Sequence, residues 1–459
     1  MKILIYSYNY WPEPIGIAPL MTDLAEGLVE KGHQVRVVTA MPNYPERSIY
    51  PDYRGKAFCR EKRKNEVGQE INVDIQRSYI WVHPTPGLVD RILLELSFVS
   101  ISLIQALVGW RPDIILYTIP SLPVSVPATL LSWLWRCPLV LNLQDILPEA
   151  AIHVGLLHNR KLIWIFEKLE RFAYHTATKI TVITDKFTEN LVEQKGVKST
   201  KIARIPNWVD ISTIHPLPKH NRFRKKHGIT DQFLVLYSGN IALTQPLEIV
   251  IKAAVYLQDQ FPQILFVIVG EEKALERLHD LQVAIGANSV KLLPFEPVDM
   301  LPEMLAAADV SLVLQRRNVV AFNMPSKIQK ILASGRPIVA SVPDSGSAAQ
   351  VVRQSQGGLV VESEKSPALA EAVLQLYHDP EMAATMGRNG REFAINHYSY
   401  QTALQSYENL FQELVGGSVG SGPSQAQATE ILERQAKEPS PMAQCLNFVL
   451  SRLGLDNVG

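Results

Sequence analysis

Short apolar, β-branched runs alternate along the chain with longer stretches of helical period. KILIYS (2–7), QVRVVTA (34–40), the run 71–80, DIILYT (113–118), PLVLNL (138–143) and KITVI (179–183) predict strands. Between the first two, the spacing predicts a helix over 19–31, stopped by Gly32. Repeated β-α-β order predicts a parallel sheet covered on both faces. The rhythm fails over 206–230, PNWVDISTIHPLPKHNRFRKKHGIT, rich in Pro, His and charge, which predicts a linker. It resumes with strands at 232–239, 264–270, 290–293, 309–314, 337–341 and 357–361. Two α/β domains follow from this, at 1–205 and 231–397, with a helical pattern at 398–415 closing the second. Beyond it, 416–459 opens as a flexible linker, GGSVGSGPSQAQA, and ends in a segment with a Ser440-Pro441 helix start. There Met442, Leu446, Val449, Leu450 and Leu453 recur at helical spacing, which predicts a short helix docking on the body or on a partner, with binding to a membrane surface as the alternative.

Composition narrows the classes. The 459 residues carry 45 Lys+Arg and 45 Asp+Glu, a formal net charge of zero. That balance argues against a nucleic-acid partner held by bulk charge. Cys59, Cys137 and Cys445 lie far apart, without zinc spacing and too few for a disulfide framework, so a cytoplasmic setting is expected. The start, MKILIYSYNY, reads as a strand rather than a secretory signal.

Residues 322–341, FNMPSKIQKILASGRPIVAS, concentrate the candidate chemistry. A turn runs into a short helical pattern, a glycine stop follows, and then a buried strand. Helix N-termini carry unpaired N–H groups and favour anions. Ser326 and Lys327 add a hydroxyl and a full charge there, which suits a phosphate. The competing reading is a surface lysine near a helix start. Gly239 ends a buried run and opens a polar loop, at the carboxyl end of a strand where open α/β sheets bind ligands. Gly16 holds the matching place in the first β-α loop, which lacks the GxGxxG dinucleotide fingerprint. For both glycines the plain alternative is an ordinary turn. Asp145 and Glu149 follow the strand at 138–143, two acids at its carboxyl end. The plain alternative is that Pro148-Glu149 simply starts a helix. No Asp-x-Asp stands at a strand end, so no metal and no cofactor are expected.

Six motifs in order resemble the retaining glycosyltransferases of family four, of GT-B fold, and within them the subgroup of colanic acid and exopolysaccharide biosynthesis. They are YNYWPEPIGIAP (8–19), EKGHQVRVVT (30–39), NLQDILPE (142–149), IPNWVD (205–210), YSGNIALTQPLE (237–248) and PSKIQKILASGRPIVAS (325–341). The resemblance covers roughly residues 1–415. It implies two Rossmann-like domains facing a cleft and a hexosyl-type transfer, with retention and without metal. The sugar would pass from a UDP- or GDP-linked donor to a glycan or polyprenyl-diphosphate-linked acceptor. Lys327 would then clamp the donor diphosphate with Ser326, and Gly239 would let the backbone approach it. Asn240 and Gln245 stand where the family carries Arg and Lys, and would act as neutral donors. Glu271 and Phe295 would meet the donor sugar and nucleobase. Asp145 and Glu149 would lie on the acceptor side, and Gly16 would leave room for diphosphate and acceptor. The family's glutamate pair falls here at Phe322 and Lys330, neither acidic. Two other classes remain open: a sugar-nucleotide 2-epimerase of the same fold, and a non-catalytic nucleotide-binding subunit.

ILLELSFVSISLIQALVGW (92–110) carries one charge, Glu95, over nineteen residues. Its place between strands predicts a helix covering the sheet, with contact at a membrane surface as the alternative and a bilayer span as a third reading. Trp133, Trp135 and Arg136, and the basic run 54–64 with its local balance of +5, favour a peripheral enzyme on the inner face of the plasma membrane.

Overall fold

The computed structural model describes residues 1–14, 16–44, 46–64, 70–149, 152, 159–241, 244–319 and 323–416. Residues 1–409 form one compact unit and 410–459 another. In the second, Leu410–Gly416 belong to a helix, and the tail expected to form a linker and an amphipathic helix lies outside the described residues.

The first half runs β1 (Lys2–Tyr6), α1 (Ala18–Glu30), β2 (Gln34–Ala40), β3 (Phe58–Lys64), β4 (Glu70–Ser78), α2 (Leu88–Ala106), β5 (Ile114–Ile119), α3 (Ser125–Trp135), β6 (Leu139–Leu143), α4 (Arg160–Thr176), β7 (Lys179–Val182), α5 (Asp185–Glu193) and β8 (Ile202–Arg204). The sheet order is β3-β4-β2-β1-β5-β6-β7-β8, parallel except for β3 against β4. The central strands β1, β5 and β6 are buried along their apolar runs, with only Lys2 at the start of β1 exposed. β3 has a different character. FCREKRK makes a charged antiparallel edge, which discourages pairing with another chain. Three of its cations are engaged: Arg60 pairs with Asp74, Lys62 with Glu70 and Arg63 with Glu26. Three of the six cations in the basic run expected to meet lipid are therefore paired within the protein.

The second half runs α6 (Arg222–Lys226), β9 (Phe233–Ser238), α7 (Glu248–Gln258), β10 (Ile264–Gly270), α8 (Glu272–Ala284), β11 (Val290–Pro294), α9 (Leu301–Ala307), β12 (Val310–Leu314), α10 (Lys327–Ala333), β13 (Ile338–Val342), α11 (Ser347–Gln354), β14 (Gly358–Glu362), α12 (Ser366–His378), α13 (Pro380–Tyr398) and α14 (Tyr400–Gly416). Its six parallel strands are ordered β11-β10-β9-β12-β13-β14. The direction of winding reverses between β9 and β12, and in the first sheet between β1 and β5. At such points the loops at the carboxyl ends part and leave a crevice.

Part of the aperiodic stretch is anchored. α6 carries Arg224, whose guanidinium is buried and donates to Ala307 O, Thr230 O, Gln232 O and the Asp309 carboxylate at 2.9 Å each. The last helices cross between the halves. α13 packs on α10 and α12 of the second sheet. The backbone turns extended at Ser399. α14 then lies against the first sheet's layer, where Tyr400 donates to Asp23 O at 2.8 Å and Lys31 pairs with Glu408 at 2.6 Å. The pattern at 398–415, expected to close the second half, thus closes back on the first. Gly27 in α1 makes this possible: a Cβ there would sit 2.0 Å from the Tyr400 hydroxyl. Thr184, after β7, and Ser347, after β13, approach to 3.2 Å between hydroxyls, so the carboxyl ends of the two sheets face each other.

Candidate functional site

The switch point between β9 and β12 holds a cavity of about 260 Å³. Gly239, Asn240 and Gln245 line it from the loop after β9, and Pro325, Ser326, Lys327 and Lys330 from the connection that follows β12. Five of the sequence-predicted residues are therefore gathered by the fold, although some ninety positions separate the two segments.

Lys327 is the centre of this wall. It is the first residue of α10, so its side chain leaves the helix toward β9. Its Nζ is buried, has no hydrogen-bond partner among the described residues, and stands 3.6 Å above the centroid of the Tyr237 ring. Burial pushes the ammonium down to about 7. The aromatic face offsets part of the lost hydration by a cation–π interaction, but a buried ammonium with no anion is an unfinished arrangement. Gly239 makes room for it. At φ +136° an L side chain is strained, and a Cβ would lie 3.0 Å from Lys327 Nζ. Lys330 stands one turn further along α10, more exposed, and burial lowers its pKa as well. No ion pair engages either lysine among the described residues. Ser326 is exposed at the cap position, and its hydroxyl makes no capping bond. Asn240 accepts from the Tyr237 hydroxyl through its carbonyl at 2.9 Å.

The remaining predicted residues lie elsewhere. Glu271 caps α8 at the end of β10 and is exposed, outside the cavity lining. Phe295 follows β11, also exposed and outside the lining. Its neighbour Glu296 is held by Lys226 and His227 at 2.7 and 2.6 Å. In the first half, Gly16 has φ +59° and open space where a Cβ would be. Asp145 follows β6 and makes no hydrogen bond among the described residues, and burial pushes its carboxyl up to about 6. Beside it, Gln144 and Asn207 exchange amide hydrogen bonds of 2.7 and 3.1 Å, tying the loop after β6 to the aperiodic stretch. Glu149 is engaged instead by Lys195 at 2.7 Å, and Lys195 also holds Glu170 at 3.0 Å. That carboxylate fastens the loop after β6 to the end of α5.

Several groups escaped sequence reasoning. Tyr237 reads as one more apolar position of a core strand; only its neighbour across the loop turns it into a floor for Lys327. Glu13 is buried and accepts from Asn9 Nδ2 at 2.7 Å, Asn43 N at 2.7 Å and Tyr44 N at 3.0 Å, pinning the loops after β1 and β2 together. Glu95 of α2 accepts from Ser121 Oγ at 2.6 Å, in the loop after β5. Burial raises its pKa, with the Ser121 bond opposing.

Comparison with known proteins matches this architecture. Residues 16–208 match the family model described as glycosyl transferase 4-like domain, and 219–393 the one described as glycosyl transferases group 1. The putative colanic acid biosynthesis glycosyl transferase WcaI of Escherichia coli K12 is 29% identical over 418 residues, covering 89% of this chain and 99% of that one. The alpha-D-kanosaminyltransferase of Streptomyces kanamyceticus is 24% identical, over 62% of this chain and 73% of its own. Among solved structures, sucrose-phosphate synthase of Thermosynechococcus elongatus superposes with a TM-score of 0.67 at 16% identity, covering 91% of this chain and 99% of that one. Anabaena Alr3699/HepE in complex with UDP gives 0.64 at 19%, covering 90% and 100%. At such identities the structures share the fold alone. With the two family models on its two halves and the switch-point cavity in the second, the chain belongs to the glycosyltransferases of GT-B fold.

Proposed function

We propose that this transferase moves a sugar from a nucleotide-diphosphate donor to a glycan or polyprenyl-diphosphate-linked acceptor during surface polysaccharide biosynthesis. The carrying observation is Lys327: a buried ammonium, unpartnered among the described residues, at a topological switch point beside a glycine of positive φ. Departure of the nucleoside diphosphate builds negative charge, and a preorganised cation in a partly dry cavity stabilises it. Lys327 acts there as the diphosphate clamp, with Gly239 admitting the phosphates and Ser326, Asn240 and Gln245 as neutral contacts. Charge neutralisation by lysine makes a metal-independent reaction the simplest reading. The UDP named with Anabaena Alr3699/HepE favours a uridine donor, and the colanic acid assignment of the Escherichia coli relative favours a polysaccharide acceptor.

Gly16 and Asp145 sit at carboxyl ends of the first sheet, and belong in this reading to the acceptor side. Asp145 is the better acceptor contact of the two predicted acids, because Glu149 is already held by Lys195. Retention of configuration follows the family resemblance, with attack on the face that the phosphate leaves. Glu271 and Phe295 take part only if donor binding brings their loops inward.

Thermal unfolding with UDP, GDP, ADP and CMP in parallel tests the donor class. A nucleotide at about a hundred times its Kd adds roughly 2.7 kcal/mol to the folded state. One nucleotide should shift the transition by several degrees in the wild type and not in Lys327→Gln. Transfer from the matching donor sugar, with the product anomer read by NMR, then tests retention. A shift that survives in Lys327→Gln places the diphosphate elsewhere.

A further inference from the structure

α2, α3 and α4 form one layer on the first sheet: α2 packs on α3, and α3 on α4. Their inward faces share a single core cluster, with Phe98 and Ala106 from α2, Ala128 and Leu131 from α3, and Ala173 and Tyr174 from α4. The opposite face of each helix is the anomaly. On α3, Trp133 is 62% exposed and Leu134 63%, and on α4 Trp164 is 58% exposed. Leu96 and Ile104 continue the exposed apolar stripe along α2, and Ile165 lies beside Trp164. Single exposed apolar residues are ordinary, but a stripe on three adjoining helices marks an interaction surface.

The exposed charges on and beside these helices are all cationic, while the acids Asp90 and Glu167 are only half-exposed. Arg91, Arg136, Lys161, Lys168 and Arg171 are exposed, and none forms an ion pair among the described residues. They differ in this from Arg60, Lys62 and Arg63 of β3, which pair with acids of β4 and α1. On α4 the outward positions 161, 164, 165, 168 and 171 read Lys, Trp, Ile, Lys, Arg at helical spacing, and Lys168 Nζ lies 5.5 Å from the Trp164 ring centroid. Tryptophan interleaved with long cationic side chains suits the boundary between lipid headgroups and acyl chains, where rings and stems are buried and charges meet phosphate. A protein partner is not expected to supply such a uniform excess of negative charge. Among the described residues no helix is long and apolar enough to cross a membrane, so the layer would lie on the surface. α2 is also tied to the carboxyl end of the first sheet, where its Glu95 accepts from Ser121 in the loop after β5.

We infer that the outer face of α2, α3 and α4 docks on an anionic lipid bilayer. The inference deepens the lipid-linked acceptor reading above, and would present the acceptor's head group at the mouth of the cleft. Vesicle binding is measured without donor or acceptor, so it succeeds or fails independently of that reading.

The test is co-sedimentation of the full chain with vesicles of phosphatidylglycerol and phosphatidylcholine, and of phosphatidylcholine alone. Binding is expected on the mixed vesicles, falling as salt rises. Each cation near an anionic surface is worth about fivefold in binding, so Lys161→Gln with Lys168→Gln should weaken it about 25-fold. Trp133→Ser with Trp164→Ser should weaken it at least tenfold. Both double variants replace exposed residues and should unfold at the wild-type temperature. Lys327→Gln should bind vesicles as the wild type does. Failure of the folded wild type to bind overturns the inference. So does binding indifferent to both double variants, which would move the contact to another surface. A dimer in solution that the tryptophan pair abolishes would overturn it as well, assigning the face to a second copy of the chain.

Discussion

Nucleotide binding should carry a proton with it, because Lys327 is held near neutrality until an anion arrives. Burial lowers its pKa from 10.5 to about 7. A group whose folded pKa is depressed in this way destabilises the fold while it is charged in both states. The cost is on the order of 5 kcal/mol below pH 7, and shrinks as pH rises toward the unfolded value, where both states are neutral. A bound diphosphate pairs with the ammonium and returns the pKa toward its ordinary range. At pH 8 the free protein is then mostly neutral at Lys327 and the complex fully charged, so binding takes up about 0.9 proton per nucleotide. Affinity should fall about 50-fold between pH 7 and pH 9. Isothermal calorimetry in buffers of different ionisation enthalpy reads the uptake directly, with UDP and GDP tried in turn. Lys327→Gln should bind weakly, lose the uptake and flatten the pH dependence, while unfolding at a higher temperature than the wild type at pH 6. A wild-type complex that forms without proton uptake, or a slope that persists in Lys327→Gln, would refute the clamp.

Other outcomes follow from the same geometry. Gly239→Ala combines a φ of +136° with a Cβ 3.0 Å from Lys327 Nζ, and should cost about 1–3 kcal/mol in urea unfolding and weaken nucleotide binding further. Arg224→Met leaves the Asp309 carboxylate beside the core with only Lys219 and a backbone N–H, and should cost about 3–5 kcal/mol by the same measure without touching the cavity. Asp145 has its pKa raised to about 6, so its ionisation destabilises the fold above that pH and not below about 4. Asp145→Asn should therefore raise the unfolding temperature at pH 8 and leave it unchanged at pH 4, while a loss of transfer at unchanged nucleotide affinity would mark Asp145 as an acceptor contact.

Local pattern carried the fold a long way. All twelve expected strands appear within one or two residues of their predicted ends, because a β-branched apolar run of about five residues has few other stable uses in an α/β chain. β3 was missed: its alternation is charged, and it pairs only at an edge, where solvent tolerates either face. α6 was missed for a similar reason, since RFRKK has no apolar period and is held by what Arg224 finds on α9 and before β12. α14 was expected in the right place but with the wrong half of the molecule, because periodicity shows that a helix has a buried face and not which surface buries it.

The candidate site divides along the same line. Sequence by itself determined the residue types at the strand ends: Gly239 after an apolar run, and Ser326-Lys327 at a helix start. Those properties depend on neighbours a few positions away. Only the tertiary structure decided that Lys327 would sit over Tyr237, that Lys330 would line the same cavity, and that Glu149 would be taken by Lys195 while Asp145 found no partner among the described residues. Burial and charge pairing depend on elements brought together from distant parts of the chain. A lysine's pKa and a carboxylate's freedom are therefore properties of the assembled fold, and no local pattern contains them.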